Sequence, residues 1–287
     1  MDDLIIIGAG PAGISAALYT ARGKISTRIL ASGYGALERA ERIENFYGAS
    51  DSPSGKALLE RGRAQAQALG VPIVEDEVVS IEWDGNFIVK GKSGEYPARC
   101  VLLATGASRP APNIPLLKEL EGKGVSYCAV CDGFFYRNKT VAVLGAGAYC
   151  AHEASVLAPL AATCYVLTNG EEPHAQFPET CKIVTTSIRT LQQQDDRISA
   201  IELQDGSALP VDGLFVATAQ AGASDFARKI GVQTEKNAIV TDSDKMTNVP
   251  GLFAAGDCTG GLLQVCKAAS DGAIAATGIR KYLNSLR

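Results

Sequence analysis

Two glycine-rich turns, each following an apolar run, with one close cysteine pair between them, predict an α/β chain of two Rossmann-like nucleotide-binding (three-layer ββα) domains, the second inserted in the first. The turns are Gly8-Ala9-Gly10-Pro11-Ala12-Gly13 and Gly145-Ala146-Gly147-Ala148-Tyr149-Cys150. The pair is Cys128-Ala129-Val130-Cys131, followed directly by Asp132-Gly133. Two thiols at that spacing beside a carboxylate form a disulfide-exchange device.

The first element is a short apolar strand over residues 4–7, and the first glycine turn follows it. Residues 14–22 then carry apolar side chains at helical spacing. In this strand-turn-helix unit Gly8 permits the turn and Gly10 lets a pyrophosphate approach the backbone. Gly13 lets helix and strand pack closely, and the helix N-terminus faces the anion. The next strand, 27–32, ends in Ala31-Ser32 where an acidic residue would hold the ribose hydroxyls, so the adenosine end of a cofactor must be held in another way. Residues 54–69 read as a helix with Ser54 as a candidate cap. Strands over 78–81, 87–90 and 96–103, separated by Asp84-Gly85-Asn86 and Lys92-Ser93-Gly94, make a β-meander. Ala104-Thr105-Gly106-Ala107-Ser108 closes this half.

The second nucleotide fold starts with a strand over 140–144 and continues through its glycine turn into a helix over about 149–157, which Pro159 ends. Further strands are expected at 163–167, 198–203 and 213–217. An apolar strand then ends in Gly256-Asp257, and a closing helix spans about 263–283. Returning this last part to the first domain gives a discontinuous domain of 1–113 and 247–287 around an inserted domain of 114–246.

With 46% hydrophobic and 20% charged residues, the 287-residue chain has the balance of a folded globular protein. Its 27 Lys and Arg stand against 31 Asp and Glu, a net charge of -4 with no basic block, which argues against nucleic acid as a partner. The first apolar run has no basic leader and is far too short to span a bilayer, so a cytoplasmic protein with no membrane partner is expected. The eight cysteines are scattered through the α/β pattern with one close pair, which fits reduced thiols plus one active couple rather than a disulfide framework. A zinc site needs a second ligand pair, and none has suitable spacing, so no metal is expected. Cys100, Cys150, Cys164, Cys181, Cys258 and Cys266 read as small core residues. His152 and His174 read as surface or packing residues, and Glu171 and Glu172 as a solvated turn.

Four segments in this order resemble the low-molecular-weight thioredoxin reductases over nearly the whole chain. They are Gly8 to Gly13, Ala104-Thr105-Gly106-Ala107, Cys128-Ala129-Val130-Cys131-Asp132-Gly133-Phe134-Phe135, and Thr247-Asn248-Val249-Pro250-Gly251-Leu252-Phe253-Ala254-Ala255-Gly256-Asp257. The resemblance implies FAD held by the discontinuous domain, the cysteine pair in the inserted domain, thioredoxin as disulfide partner, and a homodimer. It places Asp257 at the ribityl or phosphate region of FAD, Asn45 near the flavin and Gln264 at its pyrimidine edge. Gly8, Gly10, Pro11, Ala12, Gly13, Ala104, Thr105, Gly106 and Gly256 complete the expected cofactor site.

Two departures bear on the electron donor. Where NADPH-using members carry a His-Arg-Arg element and a further Arg for the 2'-phosphate, this chain has Thr168-Asn169-Gly170-Glu171-Glu172. Tyr149 and Cys150 stand where small residues usually admit the dinucleotide, which together argues against NADPH. That pattern, with Gly256-Asp257-Cys258-Thr259-Gly260-Gly261-Leu262-Leu263-Gln264, looks like the ferredoxin-dependent branch of the family. In the expected chemistry Cys131 faces the flavin, Cys128 is the outward nucleophile, and Asp132 is the general acid and base. Two other readings remain open: an NADPH-dependent reductase with an unusual site, and an FAD dithiol oxidase with oxygen as acceptor.

Overall fold

The computed structural model describes residues 1–107, 112–218, 222–235 and 238–286. Ser108, which closes the first half in the sequence reading, lies outside them. The chain divides into two compact units, Met1–Arg109 with Gly222–Arg287, and Pro110–Ala221.

The first unit begins β1 (Asp2–Ile7), α1 (Pro11–Arg22), β2 (Thr27–Ala31), α2 (Gly55–Ala68), β3 (Ile73–Glu75), β4 (Val78–Trp83), β5 (Phe87–Gly91) and β6 (Glu95–Leu103). Helix α1 starts at Pro11, earlier than its apolar spacing suggests, because proline at the first helical position needs no N–H partner. Ser54 caps α2, its Oγ accepting from the Ala57 amide at 3.2 Å. Replacing it by alanine is expected to cost about 1 kcal/mol. The thermal midpoint followed by circular dichroism should then drop by roughly 2–4 °C.

The second unit runs β7 (Val125–Ser126), α3 (Ala129–Asp132), β8 (Thr140–Leu144), α4 (Ala148–Leu157), β9 (Thr163–Leu167), β10 (Cys181–Val184), β11 (Ile188–Gln194), β12 (Arg197–Leu203), β13 (Ala208–Pro210) and β14 (Gly213–Val216). Strands β10, β9, β8, β14 and β7 form one sheet in that order, and β11, β12 and β13 a second. Ala142, Leu144, Leu167, Leu214 and Val216 pack with Ile198, Ile201 and Leu203 in one core, so the two sheets share a single apolar interior.

The chain re-enters the first unit with α5 (Ala223–Lys229), β15 (Thr234–Glu235), β16 (Ala238–Ile239), β17 (Leu252–Ala254) and α6 (Val265–Ser285). Among the described residues the sheet of this unit has the order β3-β2-β1-β6-β5-β4, with β17 also on β6. Its β1, β2, β3, β6 and β17 pairings are parallel, and β4-β5-β6 is the antiparallel meander. Leu4, Ile6, Ile29 and Leu102 from the sheet pack with Ala16 and Ala17 of α1 and Ala275 and Ile279 of α6.

The sequence reading puts residues 222–246 in the inserted domain; here they pack with the flanking unit. Side-chain hydrogen bonds account for it. The Ala223 amide donates to Thr105 Oγ1 at 2.8 Å. Asn248 accepts from the Gln233 amide at 2.9 Å and donates to the Gly231 carbonyl at 2.9 Å. No apolar periodicity announces such ties.

Candidate active site

In the first unit the glycine turn between β1 and α1 is shaped by backbone contact. Gly8 has φ +112°, and a Cβ on it would lie 2.3 Å from the Ala104 carbonyl oxygen. A Cβ on Gly13 would lie 2.0 Å from the Gly8 carbonyl oxygen. Gly10 differs, since nothing lies within 4 Å of a Cβ there. Helix α1 has no side-chain cap and no acidic residue in its first turn, so its leading amides are left for an anion. An open Gly10 at an uncapped helix N-terminus fits the pyrophosphate of a dinucleotide.

Of the other expected cofactor residues, Ala104, Thr105 and Gly256 lie against this turn. The Ala104 amide donates to the Ile7 carbonyl at 2.9 Å, which sets Ala104, Thr105 and Gly106 beside the end of β1. Gly256 (φ +84°) comes against Ala12, whose Cβ lies 2.9 Å from a Cβ built at Gly256. Asn45 and Gln264, 219 residues apart in sequence, meet directly, Asn45 Nδ2 donating to Gln264 Oε1 at 3.0 Å. The two residues expected near the flavin ring are thus neighbours. Burial raises the Asp257 carboxyl above its ordinary value, with the charge of Lys267 acting against it.

Sequence reasoning missed the clamp behind Asp257. Lys267 Nζ donates to the Gly256 carbonyl at 2.8 Å and to the Gly260 carbonyl at 2.7 Å, fixing the turn from α6. Asp271 ties the same turn through the Gly256 amide at 3.2 Å, and pairs with Lys245 at 2.7 Å and Lys267 at 2.8 Å. Burial pushes Asp271 up, yet the hydrogen bonds from Lys245 and Lys267 hold its carboxyl below the usual value. A carboxylate inside the apolar run of α6 is the one sequence signal that could have marked it. At the end of β2, where the acidic residue is missing, the Arg63 guanidinium lies over the Tyr34 ring at 4.8 Å. They line a cleft of about 330 Å³ with Ile73 and Glu75, an aromatic face and a carboxylate that could hold an adenosine.

In the second unit Cys128 and Cys131 are joined as a disulfide with a Cα–Cα distance of 5.3 Å. Cys128 is the cap of α3, and its Sγ accepts from the Cys131 amide at 3.1 Å. Cys128 is 4% exposed, whereas Cys131 is exposed. An outward-attacking Cys128 therefore requires its exposure to change during turnover. Asp132 Oδ2 accepts from Ser126 Oγ at 2.6 Å, and the same hydroxyl accepts from the Cys128 amide at 3.1 Å. Ser126, absent from the sequence reading, links the carboxylate to the redox cysteine. Asp132 opens on a cleft of about 500 Å³ that also includes Phe135, Lys139 and Arg197.

Glu153 of α4 is buried at 1% exposure and accepts from the Ala129 amide at 2.8 Å, satisfying the N-terminus of α3 just beside the disulfide. We expect Glu153→Leu to cost about 1–3 kcal/mol, because it strands a buried amide. Glu153→Gln, which keeps an acceptor, should recover most of it in urea unfolding.

The second glycine turn is built like the first but covered by its own chain. A Cβ on Gly147 would lie 2.9 Å from His174 Nε2, so the imidazole rests where a pyrophosphate would approach. The His174 amide donates to the Ala146 carbonyl at 3.0 Å, and its Nδ1 lies 3.2 Å from the Glu172 carbonyl oxygen. Thr168 Oγ1 donates to the Glu171 carbonyl at 2.6 Å, and Asn169 Oδ1 accepts from the Ile188 amide at 2.7 Å. The residues that replace the cationic fork thus spend their polar atoms on backbone. The expectation for Tyr149 is corrected: its side chain is 2% exposed, packed inside the unit, and the obstruction comes from His174 instead.

Cys258, next to Asp257, donates to the Leu103 and Ala255 carbonyls at 3.4 and 3.3 Å, and burial pushes its thiol up to about 12. It is a core residue. Among the described residues no group of three or more His, Cys, Asp or Glu could hold a metal ion, and no helix is long and apolar enough to cross a membrane.

A family model described as "Pyridine nucleotide-disulphide oxidoreductase" matches residues 2–273. The chain is 36% identical over 308 residues to a thioredoxin reductase from Peptoclostridium acidaminophilum, covering 99% of this chain and 97% of that protein. Among solved structures it is similar to the atypical thioredoxin reductase TRi from Desulfovibrio vulgaris Hildenborough, with 38% identity, a TM-score of 0.92 and 99% of each chain covered. It is also similar to a ferredoxin-flavin thioredoxin reductase from Clostridium acetobutylicum, with 28% identity, a TM-score of 0.73, and 99% and 98% coverage.

Proposed function

The chain belongs to the pyridine nucleotide-disulphide oxidoreductase family, and from that premise we propose that it is an FAD-dependent thioredoxin reductase fed by ferredoxin, acting as a cytoplasmic homodimer. The observation that carries the choice of donor is His174 lying over Gly147, with Thr168 and Asn169 committed to backbone. A dinucleotide must displace that cover and then meets no cationic fork. Likeness to a protein named as a ferredoxin-flavin thioredoxin reductase supports the same donor.

Bound FAD supplies the electron carrier between a one-electron donor and a two-electron disulfide. Gly10 and the leading amides of α1 would hold its pyrophosphate and Asn45 and Gln264 would orient the ring, while Lys267 fixes the Asp257 turn. On reduction of the Cys128–Cys131 bond, Asp132, held by Ser126, moves protons to and from the sulfurs. The Cys128 thiolate attacks the thioredoxin disulfide to give a mixed disulfide. Cys131 then displaces it, so thioredoxin leaves as a dithiol and the Cys128–Cys131 bond re-forms.

Loss of even two charge-assisted hydrogen bonds, at about 1.5–3 kcal/mol each, weakens dinucleotide binding on the order of a hundredfold or more. Calorimetric titration with NADPH should show no micromolar site, and tight binding there would overturn the assignment. Ferredoxin-driven thioredoxin reduction should instead fall as salt rises, because an acidic donor would need a positive patch on this net-negative chain, and salt screens that attraction.

A further inference from the structure

We propose that Cys164 and Cys181 form a second redox-active dithiol, closed to a disulfide by hydroperoxides and separate from the Cys128–Cys131 couple. The two lie directly opposite each other on the parallel strands β9 and β10. Paired residues on neighbouring strands stand on the same face about 4.8 Å apart, inside the roughly 4.4–6.8 Å Cα range that a disulfide spans. The Cys164 thiol donates to the Tyr165 carbonyl at 3.9 Å, and burial raises both thiols above their ordinary value.

The pair is asymmetric in the way a two-step oxidation needs. Cys164 is buried at 3% exposure, while Cys181 is half-buried on β10, an edge strand. Cys181 is therefore the sulfur a small oxidant can reach. Burial raises its thiol above the ordinary value, so the thiolate that reacts is the minor form. Cys150 lies on α4, whereas Cys164 stands directly opposite Cys181, which makes Cys164 the resolving partner.

The Cys181 thiolate attacks the peroxide, the O–O bond breaks, and the alkoxide leaves as alcohol on taking a proton, giving a sulfenic acid. Cys164 attacks that sulfur, the S–S bond forms, and hydroxide leaves with the Cys164 proton as water. Two thiols and one hydroperoxide thus become one disulfide, one alcohol and one water. The new bond would close the segment between β9 and β10, which includes Thr168, Asn169 and His174, and so lock the cover on the second glycine turn.

The test uses the FAD-loaded protein treated with hydrogen peroxide, alkylated after denaturation and digested without reduction. Mass spectrometry should find the Cys164 and Cys181 peptides linked, with two thiols per chain lost from alkylation and both restored by dithiothreitol. Cys181→Ser should abolish the link. Cys164→Ala should leave Cys181 as a sulfenic acid that dimedone captures, whereas the parent protein gives little such adduct. If both cysteines stay fully alkylated after peroxide, if Cys181 is linked to Cys150 instead, or if dimedone captures Cys181 equally in parent and Cys164→Ala, the proposal is wrong.

Discussion

Cys128→Ser and Cys131→Ser should each lower thioredoxin reduction by about a thousandfold or more while leaving FAD bound. Groups that act as one unit fail together, since either serine leaves no disulfide for electrons to enter. The fold should survive, because the cysteines sit on the one-turn helix α3 and the expected cofactor residues belong to the other unit. Absorbance then separates the roles. With Cys131 facing the flavin, Cys128→Ser frees a thiolate that gives a long-wavelength charge-transfer band, and Cys131→Ser gives none. A band in Cys131→Ser instead would reverse the assignment.

A pair of glycine substitutions should have the next largest effect and divide packing from binding. On Gly13 a methyl group would lie 2.0 Å from the Gly8 carbonyl oxygen, so α1 must move off β1. Gly13→Ala is expected to lower thermal stability and to release FAD. Gly10 has φ -80° and open space, so the fold accepts alanine there. Its methyl group would enter the open space proposed for the pyrophosphate, and FAD affinity should fall about a hundredfold or more, the equivalent of roughly 3 kcal/mol. Flavin fluorescence on dilution measures release, and melting of the cofactor-free protein measures packing. Tight FAD binding by Gly10→Ala would mean that the pyrophosphate lies elsewhere.

Much of this architecture is legible from periodicity and punctuation. Alternation with Asp84-Gly85-Asn86 and Lys92-Ser93-Gly94 marks the β4-β5-β6 meander, and both glycine turns sit between strand and helix as expected. Strands β10, β11 and β13 escape, because β10 is a four-residue, partly exposed edge strand, β11 is rich in polar residues, and β13 is only three residues long. Around the candidate site the sequence marks the motif residues but not every partner recruited to them across the fold. Glu153 reaches Ala129, and Lys267 reaches Gly256, by helix packing that no local pattern encodes. Reading bulk at Tyr149 fails for a related reason: residue size says nothing about which way a helix turns its side chains, and the obstruction is supplied from His174, 25 positions further on.

Electron entry without a bound nicotinamide is the central claim, and anaerobic mixing of the oxidised, FAD-loaded protein with separate donors tests it most directly. Reduced ferredoxin should bleach the flavin absorbance within the time of catalytic turnover, while NADPH and NADH at micromolar concentration leave it unchanged. Rapid bleaching by NADPH, with no response to reduced ferredoxin, would contradict it.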